Sequence, residues 1–269
     1  MLSFRAFVQK HPVLFFFLLT CLISWSAWLG GKLLKLEILT FFFSYGPALA
    51  AFLLTGLLEG KSGLLELFRR VFRWRVGLVW YLVAFLIPFL GGLLAIYLSA
   101  AAGLLEKGLP DWKAIAVPLS LAIFGLAPLG FVVLLGEEIG WRGYAQPKLL
   151  ERFNPFVTSM LVGLAWGIWH WIYLWEDASP LGMVYFVLET MTISLAYTWL
   201  FDRTGGSLVV VTLLHTFYDA CGFGFMAAAP IQTDTLVVLA VHILAGAVAV
   251  ILGGSVWFFH KLQAKITVA

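Results

Sequence analysis

The sequence predicts an all-α polytopic membrane protein, a bundle of about eight transmembrane helices that forms one integral membrane domain over residues 1–269. Hydrophobic residues make up 62% of the chain and charged residues only 12%, with 24 Phe, 12 Trp and a mean hydropathy of +0.99. An ordinary soluble domain is apolar over about half of its residues. Because one helix that crosses a bilayer takes about 20 apolar residues, this length is filled by membrane spans with short connections.

Each predicted span is an apolar run bounded by charges or by Gly and Pro. The first run follows Arg5 and Lys10, as in a signal peptide, but it is long and no small-residue cleavage site follows it, so we expect a retained helix. Charged residues mark each of the seven connections between the spans. In chain order these are Lys32 and Glu37, the basic segment that ends at Arg75, Lys107 and Asp111, Arg142 and Arg152, Glu176 and Asp177, Arg203, and Asp234. The predicted spans are 12–30, 38–58, 78–102, 115–136, 156–175, 182–201, 207–226 and 235–259.

The charges of the connections predict how the chain is oriented. If the N-terminus is cytoplasmic, all but four of the 17 Lys and Arg residues lie on the cytoplasmic side, where positive residues are favoured. We therefore expect both termini to be cytoplasmic. The basic stretch Glu59–Arg75 is amphipathic, and it is predicted either as an interfacial helix or as an ordinary positive loop.

Glu137 and Glu138 stand side by side at the end of the fourth predicted span. On a helix, Glu138 and Arg142 are four residues apart, so they share a face and can form an ion pair. Glu137 is rotated by about 100° from Glu138, so it can face a cavity as a candidate general base. The alternative is an interfacial charge cluster that caps the helix.

Two histidines and an aspartate lie in later apolar spans. His170 follows Trp166 by four residues, and alone it reads as a hydrogen-bonded packing residue. His215 and Asp219 share one helical face, so Asp219 can hydrogen-bond the imidazole, although a self-satisfied pair is the alternative. Burying such groups separately costs several kcal/mol each, so we expect one shared polar site within a core of about 115–226.

Together these residues resemble the motifs of the CAAX protease and bacteriocin-processing (CPBP) family of intramembrane proteases, which includes the type II CAAX prenyl endopeptidases. The family motifs are EExxxR, an aromatic residue four positions before His, and His four positions before Asn or Asp. Here they correspond to Glu137-Glu138 with Arg142, to Trp166 with His170, and to His215 with Asp219. Trp stands where Phe is commoner, and Asp219 stands where members with prenyl substrates have Asn.

The resemblance implies roles for these residues. Glu137, aided by His170, would polarise a water molecule for attack on the scissile carbonyl, while His215 and Asp219 would orient or stabilise the oxyanion. Glu138 with Arg142 would hold the helix end. Because an anionic Asp cannot donate a hydrogen bond, Asp219 is a candidate for orienting His215 or holding a cation. Glu137, His170 and His215 are also acceptable ligands for a divalent metal such as zinc, and a metal-free glutamate mechanism needs the same residues.

The resulting prediction is a hydrolase, an intramembrane endopeptidase of the bacterial plasma membrane that cleaves peptides or protein tails. Its expected partners are the lipid bilayer and a peptide or protein substrate, and no nucleic acid. One alternative is a proton-coupled transporter that uses the same Glu, His and Asp residues as a relay. The other is a non-catalytic membrane immunity factor.

Overall fold

The computed structural model describes residues 4–105, 108–175 and 179–228, together with scattered residues between 240 and 259. All regular structure in these residues is helical, which confirms the predicted all-α class. The α-helices are α1 (Phe4–Lys10), α2 (Pro12–Leu34), α3 (Glu37–Phe41), α4 (Gly46–Val71), α5 (Leu78–Ala101), α6 (Trp112–Leu121), α7 (Ala127–Gly140), α8 (Gln146–Leu150), α9 (Pro155–Trp169), α10 (Trp171–Leu174), α11 (Pro180–Arg203) and α12 (Leu208–Ala228).

The helices of the described residues confirm a multi-pass membrane protein. Six helical stretches there are long and apolar enough to cross a membrane, and α9 is apolar but shorter, at 15 residues. The predicted fifth span, 156–175, is too long, because α9 ends at Trp169 and the short α10 follows. The eighth predicted span, 235–259, falls largely on residues outside the described part of the chain. The six stretches are Pro12–Leu34, Glu37–Val71, Leu78–Ala101, Trp112–Leu150, Pro180–Arg203 and Leu208–Ala228.

The fourth predicted span, 115–136, is too short. α6, α7 and α8 join into one stretch, Trp112–Leu150, through π-helical turns at Ala122–Leu126 and Trp141–Ala145. Glu137 and Glu138 therefore lie inside a helical stretch rather than at its edge, and they are only 3% and 0% exposed. The helix continues past them, and each carboxylate binds side chains through one of its oxygens, Oε2 of Glu137 and Oε1 of Glu138.

α4 has a kink at Gly60. The φ of 66° and ψ of −152° at Gly60 lie outside the helical region, and a positive φ favours glycine. On one side of the kink, Lys148 Nζ lies 2.9 Å from Glu59 Oε1. Beyond it the helix continues to Val71, so the predicted amphipathic stretch is helical over most of its length.

α9 and α11 pack closely against each other near Trp166 and Tyr197. A Cβ at Gly163 would lie 2.4 Å from Met191 Cα, so only glycine fits there. Thr190 Oγ1 donates a hydrogen bond to the Gly163 carbonyl at 2.9 Å. Small residues allow membrane helices to approach closely and to make such contacts. The contact brings the rings of Trp166 and Tyr197 within 5.8 Å of each other.

Replacing Gly163 with alanine should lower the free energy of unfolding by about 1–3 kcal/mol, because the added methyl group forces α9 and α11 apart. Gly222→Ala on α12 is the matched control, since a Cβ there meets no atom within 4 Å. It should leave the free energy of unfolding unchanged or raise it by up to about 1 kcal/mol, because alanine favours a helix over glycine. Both values can be measured by SDS titration of the protein in mixed micelles. Equal effects of the two substitutions would contradict the close contact.

Candidate active site

Glu138 is a buried carboxylate that joins two helices. Its Oε1 accepts a hydrogen bond from Arg142 Nη1 at 2.9 Å, as the four-residue spacing predicts. The same oxygen lies 2.8 Å from His215 Nδ1 on α12. A carboxylate only accepts, so Nδ1 carries a proton and Nε2 is the atom of His215 left for other partners. The sequence suggests Asp219 as the residue that orients His215. In the structure Glu138 holds the ring instead, because α7 and α12 pack side by side.

Arg142 is a fully buried cation, with 0% exposure in a membrane-spanning stretch. Such a cation requires partners in a bilayer. Besides its bond to Glu138, it donates from Nη2 to Ser194 Oγ at 3.3 Å. Its guanidinium also lies over the rings of Trp166 and Tyr197, 4.8 and 4.2 Å from their centroids, where the ring faces attract a cation. Ser194 and Tyr197 of α11 carry no motif, so the sequence gives no signal for them.

Glu137 has a partner of its own, as its rotation from Glu138 predicts. Its Oε2 accepts a hydrogen bond from Trp166 Nε1 of α9 at 3.0 Å. This bond fixes one oxygen of the carboxylate. It leaves Oε1 as the atom that can accept a proton from a bound molecule.

The end of α9 positions His170. The backbone N–H of His170 bonds to the Gly167 carbonyl at 3.2 Å, three residues back, so it does not use the Trp166 carbonyl as in a continuing α-helix. That carbonyl lies 2.9 Å from His170 Nδ1 instead. Since a carbonyl only accepts, Nδ1 carries the proton, and Nε2 of the neutral ring presents a lone pair.

Trp166 contacts residues of all three motifs. Its indole N–H bonds Glu137, its carbonyl bonds His170, and its ring lies 5.1 Å from the ring of His215 and beneath the guanidinium of Arg142. The sequence marks Trp166 only as the aromatic residue before His170. Its role as a donor depends on how α7 packs against α9, and a local pattern does not contain that information.

Asp219 lies one turn beyond His215 and lines a groove of about 320 Å³. It is close enough to interact electrostatically with Glu137 and His215. The groove is mostly apolar, and two of its lining residues, Leu129 and Phe223, are 64% and 62% exposed. It therefore leads from the outer surface of the bundle to Thr216 and Asp219 of α12.

The arrangement does not gather the predicted metal ligands into a set that could hold an ion. In the described residues no group of three or more His, Cys, Asp or Glu is placed to hold a metal. The Nδ1 atoms of His170 and His215 are bound to a carbonyl and a carboxylate, so Nε2 is the free nitrogen of each ring. Histidines that bind a metal use the same arrangement. Metal dependence stays a prediction, and the hydrolysis mechanism proposed for these residues uses no metal.

Comparisons with known proteins agree with the motifs. Residues 118–221 match a family described as "Type II CAAX prenyl endopeptidase Rce1-like". The chain is also 28% identical over 147 residues to the protein named CAAX prenyl protease 2 of Methanococcus maripaludis. This match covers 50% of the chain and 53% of that protein, so the chain spans about half the length of this relative. Both findings confirm the resemblance to the CAAX protease family.

Proposed function

We infer that the chain belongs to the CAAX protease family that its residues 118–221 match, and we propose that it is an intramembrane endopeptidase acting on peptides or protein tails at the membrane. One observation carries the proposal beyond the family match. Glu137 on α7, His170 at the end of α9 and His215 on α12 all contact Trp166, which brings a carboxylate and two imidazoles around one residue. Hydrolysis of a peptide bond needs a proton acceptor and a stabiliser of the oxyanion, and this set supplies both.

In the proposed mechanism, Glu137 Oε1 accepts a proton from the attacking water. A positioned general base of this kind contributes about 10²–10⁴-fold to the rate. His170 Nε2, which presents a lone pair, accepts the second hydrogen bond of the same water and orients it. Trp166 fixes both acceptors, since its N–H holds Glu137 and its carbonyl holds His170.

His215 stabilises the oxyanion in the same proposal. Its Nδ1–H is held by Glu138, so Nε2 is directed at the reacting carbonyl. When the ring carries a proton on both nitrogens, Nε2–H donates a hydrogen bond to the oxyanion and then transfers its proton to the leaving nitrogen. The proton that Glu137 takes from water returns to the ring and closes the cycle. Glu138 stabilises that cationic ring, and Arg142 keeps Glu138 ionised and in place. Losing one oxyanion donor typically costs about 10²–10³-fold in kcat.

The groove at Asp219 supports a route for the substrate. Its apolar walls open toward the surface of the bundle, and Thr216 and Asp219 of the helix that carries His215 line it. We place the apolar side chains of the substrate in this groove, with the scissile bond at its inner end. Asp219 then faces the backbone of the substrate, where its carboxylate can accept a peptide N–H.

The placement of basic residues supports a cytoplasmic N-terminus, and we propose that the C-terminus is cytoplasmic too and that the membrane is the bacterial plasma membrane. Arg152 Nη2 donates to the Lys10 carbonyl at 3.1 Å, and Arg5 Nη2 donates to the Leu58 carbonyl at 3.2 Å. Basic residues from separate segments are thus gathered at one end of the bundle. That end faces the cytoplasm by the positive-inside rule.

The proposal is tested with the purified protein in phospholipid nanodiscs. Two of the probes are internally quenched peptides that share one sequence with a C-terminal CAAX box. One of them carries a farnesylated cysteine and the other does not. The third probe is a peptide library from a membrane proteome. Mass spectrometry identifies the cleaved bonds. Cleavage by the wild type but not by Glu137→Gln supports an endopeptidase, and the two quenched peptides show whether the lipid is needed. A folded wild type that cleaves none of the three probes would contradict the proposal.

Replacing Trp166 with 3-benzothienylalanine, which carries sulfur in place of the indole N–H, should lower kcat at least about tenfold and leave KM unchanged. The ring keeps its shape, and only the hydrogen bond to Glu137 is lost. Trp169 is the matched control on the same helix, since it is fully buried and its Nε1 has no hydrogen-bond partner in the described part of the chain. The same replacement there should leave kcat unchanged. Equal losses at both positions would show that packing, not the donor, matters.

A further inference from the structure

The outer face of α4 beyond the Gly60 kink is apolar at a helical spacing. We call residues 61–75 the interfacial segment. Leu65, Phe68 and Phe72 follow each other at three and four residues, and they are 47%, 48% and 70% exposed. They form one stripe that points away from the protein. An exposed apolar stripe at the end of a membrane span is suited to the acyl region of the bilayer.

Cations flank this stripe. Lys61 and Arg69 are exposed on the same helix, and Arg75 is exposed beyond its end, with its guanidinium 5.2 Å from the ring centroid of Trp74. Trp74 itself is 59% exposed. The interfacial segment contains five Lys and Arg residues and one acidic residue, Glu66, so it is strongly basic. Amphipathic helices of this kind bind anionic lipid through cations placed at the level of the headgroups.

The inner face of the interfacial segment is attached to the turn that follows Glu138. Leu67 is 4% exposed, and a Cβ at Gly143 would lie 2.8 Å from its Cδ1. Arg70 Nη1 donates a hydrogen bond to the Gly143 carbonyl at 3.2 Å. Gly143 belongs to the π-helical turn Trp141–Ala145, which directly continues the helix of Glu138. A displacement of the interfacial segment is therefore transmitted to this turn.

A second attachment reaches the helix of His215. The Arg73 guanidinium donates to the Gly205 carbonyl, and the Arg73 carbonyl accepts a hydrogen bond from Ser207 Oγ at 2.5 Å. Ser207 Oγ in turn accepts from the backbone N–H of Val210 at 3.3 Å. A side-chain oxygen in that place caps the first turn of a helix. The interfacial segment thus holds the start of α12, which carries His215.

We propose that Lys61, Arg69 and Arg75 bind the headgroups of anionic phospholipids, and that the bound lipid fixes the Trp141–Ala145 turn and the start of α12. Charge complementarity favours this partner, and so does the stripe of exposed apolar residues between the cations. The lipid site stands independently of the reaction. Its effect on hydrolysis rests on the proposed function.

Binding is tested by electron paramagnetic resonance of spin-labelled phosphatidylglycerol and phosphatidylcholine with the reconstituted full chain. The wild type should prefer phosphatidylglycerol, and the triple variant Lys61→Gln/Arg69→Gln/Arg75→Gln should lower the ratio of the two association constants by about fivefold or more. The control, Lys32→Gln/Lys35→Gln/Lys113→Gln, removes the same charge from the C-terminal end of α2 and from α6, and it should keep the ratio. No preference in the wild type, or equal losses in both variants, would overturn the proposal.

The link to the site is tested by hydrogen exchange in nanodiscs with and without phosphatidylglycerol. In the wild type, phosphatidylglycerol should slow amide exchange in residues 141–150 and 205–212, and the triple variant should lose this protection. Unchanged exchange, despite a lipid preference, would overturn the link. Cleavage of the peptide probes is measured in the same discs. Slowed exchange without any cleavage would count against the proposed function alone.

Discussion

Replacing Glu137 with glutamine should lower kcat by about 10²–10⁴-fold, which is the contribution of a positioned general base. Glutamine has nearly the same size, and its amide oxygen still accepts the hydrogen bond from Trp166 Nε1. What it lacks is the ability to take a proton from water. KM should change little, because the carboxylate acts on the water rather than on the substrate. Initial rates with a peptide that the wild type cleaves provide the measurement.

Glu189→Gln is the matched control for this substitution. Glu189 is a half-buried glutamate within a membrane-spanning helix, α11, and it interacts electrostatically with Tyr218. Its replacement removes the same charge from the bundle and should leave kcat within about threefold of the wild type, a difference of less than 1 kcal/mol in the barrier. If Glu137→Gln kept full activity, or if both variants lost activity equally, Glu137 would not be the general base.

Replacing Arg142 with methionine should lower the free energy of unfolding by about 3–5 kcal/mol, because it leaves the carboxylate of Glu138 buried without its cation. The matched control is Lys148→Met. It breaks an ion pair with Glu59 in which the two side chains are 25% and 38% exposed, and pairs of this kind contribute about 1 kcal/mol or less. Both variants can be measured by SDS titration in mixed micelles.

A double variant distinguishes a lost ion pair from lost packing. Glu138→Leu combined with Arg142→Met removes both charges, and apolar replacement of a buried pair is often neutral or stabilising. The double variant should therefore regain part of the stability that Arg142→Met loses, the remainder being the cost of leaving His215 Nδ1 without its acceptor, and it should not cleave peptides. A double variant less stable than Arg142→Met alone would show that the charges themselves do not cause the loss.

Local helical geometry accounts for the parts of the site that the sequence predicts. Four-residue spacing predicts the ion pair of Glu138 with Arg142, and the structure confirms it at 2.9 Å. The rotation between neighbouring residues predicts that Glu137 faces elsewhere, and it does. The error in the fourth span has the same origin. Charges were expected at the edge of the membrane, whereas burial with partners allows Glu137 and Glu138 to lie inside a longer helical stretch.

The remaining contacts depend on tertiary packing. Glu138 and His215 are 77 residues apart, and Trp166 is 29 residues from Glu137. No periodicity within one helix determines which residue of another helix lies opposite. Sequence reasoning therefore identifies Asp219 as a neighbour of His215 but cannot show that Glu138 binds Nδ1. It likewise identifies Trp166 as an aromatic residue but not as a hydrogen-bond donor.

The π-helical turn Trp141–Ala145 sets the rotational phase between two halves of one membrane stretch. A π-helical turn holds one residue more than an α-helical turn, so every later side chain is rotated by about 100° relative to an uninterrupted α-helix. Gln146, which is fully buried and accepts a hydrogen bond from Thr198 Oγ1 at 3.4 Å, owes its inward direction to this extra residue. A deletion of one residue within the turn would turn α8 on its axis and leave its composition unchanged. The length of this turn, as much as the identity of its residues, therefore determines which side chains of α8 face the interior of the protein.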